Sequence, residues 1–182
     1  MLPAYELPNR TRKWCSTLKW ISVGLIVLMV ADLIFAGVLG RIIQGHYLAL
    51  SDIARDDVRF SNDKMRLLRI LAFFAWAGAT LILFAGFRLF STLSGGEPFS
   101  TRVQRDIRFL GATILLNGII GLFMRSAFTL ALTYDNPPGK GELSIAISSS
   151  QISYLLVGGI ILILGHIFLQ AVRISDENRQ IV

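Results

Sequence analysis

The sequence predicts an all-α fold: a polytopic membrane protein with four transmembrane helices and both termini in the cytoplasm. Two observations lead there. Hydrophobic residues make up 53% of the 182 positions, and the mean hydropathy is +0.60. A water-soluble chain of this size could not hide that much apolar surface in one core, whereas lipid can take the core's place. The apolar residues also gather into four runs, about 20–43, 67–90, 109–132 and 152–172. Each is close to the ~20 residues that cross a ~30 Å hydrocarbon layer. None carries the polar stripe of a helix lying on a soluble core. Residues 1–182 therefore form a single four-helix transmembrane domain.

The first run follows Arg10, Arg12, Lys13 and Lys19, a pattern shared with secretory signal peptides. Its apolar stretch continues past Asp32 to Ile43 without a small-x-small cleavage site, which predicts a retained helix. The loop after it, about 44–66, alternates acids and bases and reads as an exposed amphipathic segment. The second run, LLRILAFFAWAGATLILFAGFRLF, has Arg69 and Arg88 near its ends. In the connection STLSGGEPFSTRVQRDIR, Gly95 and Gly96 supply turn geometry and Pro98 cannot continue a helix. Ser100 or Thr101 then offers an N-cap, Thr101 with Gln104 as a capping box. The third run follows, then a turn, YDNPPGKGELS, and the fourth run with a polar ending.

The net charge is +6, from 18 Lys and Arg against 12 Asp and Glu. Such a balance suits nucleic acid or an anionic membrane surface. Because the charges lie between apolar runs, the membrane is favoured and no direct nucleic-acid contact is expected. With the N-terminus inside, the cytoplasmic segments hold Arg10, Arg12, Lys13, Lys19, Arg88, Arg102, Arg105, Arg108, Arg173 and Arg179. The outer segments hold fewer: Arg41, Arg55, Arg59, Lys64, Arg66, Arg69 and Lys140. The positive-inside rule therefore puts both termini in the cytoplasm. Cys15 is the only cysteine, so no internal disulfide or thiolate cluster can form.

Catalytic machinery is not apparent. His46 and His166 have no second ligand at metal-binding spacing, and no Walker loop, nucleophile elbow or HExxH helix occurs. The reading is non-enzymatic, with no cofactor and no metal. Intramembrane polar residues are costly and often functional. Asp32 and Arg125 both fall in the outer half of their spans, where a structural ion pair is favoured over an ion pathway. Asn117 and His166 form a second set in the inner half, sufficiently explained by a helix–helix hydrogen bond of ~0.6 kcal/mol. Small residues at Ala36-xxx-Gly40 and Ala75-xxx-Ala79, with Gly158, Gly159 and Gly165, mark close packing and leave homo-oligomerisation open.

Gly96-Glu97-Pro98-Phe99, followed by Arg102 and Arg105 and a glycine-containing apolar helix, resembles the central motif of a bacterial membrane family. That family is catalogued as domain of unknown function 2975. The ending supports the resemblance: Glu177, Asn178 and Val182 match an L-x-x-E-N-x-x-x-V tail, with Ile174 in place of the leucine. The resemblance implies a multi-pass protein of the bacterial cytoplasmic (inner) membrane without known enzymatic activity. It further implies a cytosolic partner of the helix-turn-helix regulator type. The expected function is thus regulatory or scaffolding, with Gly96, Glu97, Pro98, Phe99, Arg102, Arg105, Glu177 and Asn178 as contact candidates and membrane lipids as the other partner. The alternative is a small transporter or channel subunit using Asp32, Arg125, Asn117 and His166.

Overall fold

The structure, a computed structural model, describes residues 7–35, 62–96, 98, 100–133 and 149–180. Side chains are described as far as Ala31 in the first segment and Gln170 in the last. Within these residues the chain is helical: α1 Asn9–Phe35, α2 Asn62–Ser94, α3 Thr101–Thr133 and α4 Ser149–Gln180. All four are long and apolar enough to cross a membrane.

The helices overrun the apolar runs, because charged residues such as Arg102 and Arg105 favour a helix once it leaves the hydrocarbon. At the end of α2 the Gly95 and Gly96 amides bond back to the Thr92 and Leu93 carbonyls, both at 3.1 Å, tightening the last turn. Gly96 then takes φ +95°, which L side chains rarely adopt. The acidic ending differs from expectation in the same way: the backbone of α4 stays helical through Glu177 and Asn178 to Gln180.

Each helix packs chiefly on its sequence neighbour, α1 on α2, α2 on α3 and α3 on α4, the last pair most extensively. The pairs are antiparallel. Arg12 reaches Ser94, and Gly165 lies against Ile107 and Arg108. The arrangement is a row of four helices, with the start of α1, the α2–α3 loop and the C-terminal end of α4 at one end.

Little of the row is buried. Trp20, Val27, Phe73, Phe123, Ile160 and Ile163 are all more than half exposed, as lipid-facing side chains should be. Packing between α3 and α4 relies on absent side chains instead. A Cβ at Gly111 would lie 2.6 Å from the Leu162 nitrogen, and one at Gly158 would lie 2.5 Å from the Leu115 nitrogen. The two backbones therefore touch, the small-residue contact that replaces hydrophobic driving force in lipid. Gln151 adds a bond across the same seam, its Nε2 donating to the Gly121 carbonyl at 3.0 Å. At the far end of the row, Leu68, Ala131 and Leu132 form a small apolar cluster with Met65, Leu71 and Phe128. Lys64, which the charge pattern assigns to an exposed outer loop, is fully buried.

Candidate functional site

The polar chemistry of the described residues concentrates where α2 turns into α3. Arg88 and Thr92 are four apart on α2 and so share one face, directed at the first turns of α3. There Asp106 accepts from both. Arg88 Nη2 donates to Oδ1 at 2.7 Å, and the Thr92 hydroxyl donates to Oδ2 at 2.7 Å. The Asp106 side chain is only 3% exposed while that of Arg88 is 36% exposed, so the carboxylate is enclosed and the guanidinium lies partly at the protein surface. The guanidinium also lies over the Phe109 ring, 5.2 Å from its centroid. A buried carboxylate with both oxygens satisfied fixes two helices relative to one another.

The loop between them is held from the other side by the start of the chain. Arg12 Nε donates to the Ser94 carbonyl at 2.8 Å, and the Leu7 amide donates to the Gly96 carbonyl at 3.2 Å. Both acceptors lie where a helix leaves carbonyls unsatisfied and presents its negative dipole end, so a cation there is favourable. Gly96 is buried beneath this contact, near the Arg12 guanidinium. On the α3 side, Ser100 is the N-cap, its hydroxyl accepting from the Val103 amide at 3.3 Å. The expected Thr101–Gln104 capping box does not form, because Ser100 occupies the cap and shifts the register by one. Gln104 is instead 2% exposed, with neither amide atom hydrogen-bonded among the described residues.

A cleft of about 470 Å³ opens between the two helix ends, lined by Ser91, Thr92, Gly95, Ser100, Thr101 and Arg102. Arg102 and Arg105 are exposed beside it. Of the sequence-derived contact candidates, Gly96, Pro98, Arg102 and Arg105 fall in this region. Glu97 and Phe99 lie outside the described residues, as do the side chains of Glu177 and Asn178.

The intramembrane candidates are placed apart. Asn117 packs in the α2–α3 seam against Gly78, where an added Cβ would meet its Nδ2 at 2.6 Å. His166 is exposed on α4, its Nδ1 3.0 Å from the Leu162 carbonyl of its own helix. Gly118 lies against Leu155 and Gly165 against Ile107, so Asn117 and His166 are about 15 Å apart along the row. They do not form the shared hydrogen bond expected of them. The side chain of Asp32 lies outside the described residues, while Arg125 is half-buried on α3. Among the described residues no three His, Cys, Asp or Glu side chains converge as metal ligands. Cys15 is a buried thiol on α1.

Sequence reasoning missed Asp106. It sits among Arg102, Arg105 and Arg108, which read as a topological signal. The available hint was one acid inside that basic run, within hairpin reach of Arg88 and Thr92.

A family model described as a protein of unknown function, DUF2975, matches residues 70–182. The match covers most of α2, the loop, α3 and α4, and leaves α1 outside. No curated protein matches the chain, and no solved structure does.

Proposed function

The chain belongs to the DUF2975 family, and from its geometry we propose that it is a non-enzymatic regulatory or scaffolding membrane protein. Its contact surface is the loop end of the row, directed to the cytoplasm, and its partner is a cytosolic protein of the helix-turn-helix regulator type, as the family resemblance implies. The observation carrying this reading is the set of bonds that tie the two helix ends together. Two anchors, Asp106 from within and Arg12 from the N-terminal side, hold a polar cleft open beside exposed Arg102 and Arg105. Lipid interfaces need basic residues but not an ordered, hydroxyl-lined cleft, and a preorganised surface binds with less entropic loss. A transport path draws no support from His166, which faces outward and away from Asn117.

The test is co-purification of the full chain, in mild detergent, with a helix-turn-helix regulator encoded beside it. Arg102→Glu with Arg105→Glu should abolish retention while the purified protein keeps its helix content and elution volume. Undiminished retention by that variant, and by one lacking residues 175–182, would move the contact away from this end.

A further inference from the structure

An apolar groove runs between α1 and α2 in the part of the row that would lie within the hydrocarbon. It is lined by Ile26, Met29 and Val30 of α1 and by Phe73, Trp76, Ala77, Thr80 and Phe84 of α2, and its volume is about 420 Å³. That volume is within the ~300–1,000 Å³ of ordinary small-molecule sites. From Phe73 to Phe84 the helix rises about 16 Å, a length that an extended acyl chain can follow. Size and polarity alone would fit any acyl chain.

The mouth is more selective. Phe84 stacks on Phe87, with ring centroids 6.5 Å apart, and the Lys19 ammonium sits 5.8 Å from the Phe87 centroid. Lys19 thus stands one helical turn beyond the groove, at the end flanked by exposed Trp14 and Trp20. Exposed tryptophans mark the headgroup level of a bilayer. Arg88, on the neighbouring turn of α2, is neutralised by Asp106, but among the described residues no carboxylate lies within ion-pair distance of Lys19. A cation at headgroup depth with no carboxylate beside it among the described residues, above an apolar slot of about acyl-chain length, is complementary to an anionic lipid.

We propose that the α1–α2 groove is a binding site for a single anionic phospholipid, with an acyl chain along Phe73–Phe84 and its phosphate at Lys19. The site is independent of the loop-end surface, and its occupant comes from the leaflet on the N-terminal side of the row.

Trp76 lines the groove and is the natural reporter. A Trp14→Phe, Trp20→Phe form of the full chain, reconstituted in vesicles, leaves Trp76 as the single tryptophan. Its quenching by brominated-chain phosphatidylglycerol is compared with that by brominated phosphatidylcholine at equal mole fractions. The expected result is an approximately five-fold preference for the anionic lipid, the size one cation at a charged headgroup contributes. Lys19→Gln should remove the preference, and Ala77→Phe, which fills the slot but leaves the cation, should remove it as well. Arg69→Gln, at the opposite end of α2, should leave it unchanged. Equal quenching by both lipids in the parent protein would mean annular lipid only and would overturn the proposal. So would a preference that survives Ala77→Phe, or one that disappears with Arg69→Gln but not with Lys19→Gln.

Discussion

Removing Arg88 should destabilise the protein more than removing Asp106, although the two form one ion pair. The reason is the unequal exposure of the partners, 36% for Arg88 and 3% for Asp106. Arg88→Met strands an enclosed carboxylate with the Thr92 hydroxyl as its one remaining partner among the described residues, and breaking a buried pair in this direction costs ~3–5 kcal/mol. Asp106→Leu strands a guanidinium that can turn to water and still lies over Phe109. Its cost should be ~1–2 kcal/mol, nearer that of a partly exposed hydrogen-bonded pair. The double variant leaves no stranded charge and joins two apolar side chains across the seam, so it should recover to within ~1 kcal/mol of the parent. The implied coupling is at least ~3 kcal/mol, well above the ~0.5 kcal/mol scatter of independent sites. Denaturant titration in mixed micelles, followed by tryptophan fluorescence, reads all four proteins. Asp106→Leu costing as much as Arg88→Met, or a double variant as unstable as both losses combined, would refute the asymmetric burial on which this reasoning depends.

Gly158→Ala should cost ~1–3 kcal/mol in the same titration, since its Cβ would meet the Leu115 backbone at 2.5 Å. Gly24→Ala, with nothing within 4 Å, should be neutral or stabilising by up to ~1 kcal/mol; equal effects would refute the close α3–α4 approach. Arg12→Gln removes the guanidinium bond to the Ser94 carbonyl, so amide hydrogen exchange over residues 92–100 should accelerate, and unchanged protection would show that the N-terminal anchor does not hold the loop. With the loop end cytoplasmic, a cysteine at position 102 in a Cys15→Ser background should stay unlabelled by an impermeant reagent in intact cells. Labelling there would reverse the orientation.

The four spans were legible because a bilayer imposes both a length and a composition, and few other environments impose either. Their ends were not. A hydropathy run stops where the hydrocarbon stops, but α2 continues to Ser94 until glycine breaks it, and α4 runs through the acidic ending. Small residues were visible as a class, yet the pairs that matter on α3 and α4 follow a different interval from the small-xxx-small pattern. Gly111 and Gly118 are spaced by seven, as are Gly158 and Gly165, so each pair lies on one face two turns apart. Which of many glycines meets a backbone depends on the partner helix, and that is not written in either segment alone.

The loop end shows the same division between local and paired information. GEPF stood out because it resembles a family motif, and Gly96 was expected to be a partner contact. In the structure Gly96 is buried under the N-terminal segment, since the carbonyls a helix leaves open at its end need donors and Arg12 and Leu7 supply them. What determines the loop's shape is therefore a residue 82 positions away in sequence and an acid hidden in a basic run. Neither contact has a local signature. Once both are made, Arg102 and Arg105 are left exposed beside the cleft, with no hydrogen bond or ion pair among the described residues. A surface for a partner is then defined by what the fold does not use, which is why charge pattern pointed to these arginines and could not distinguish them from Arg88.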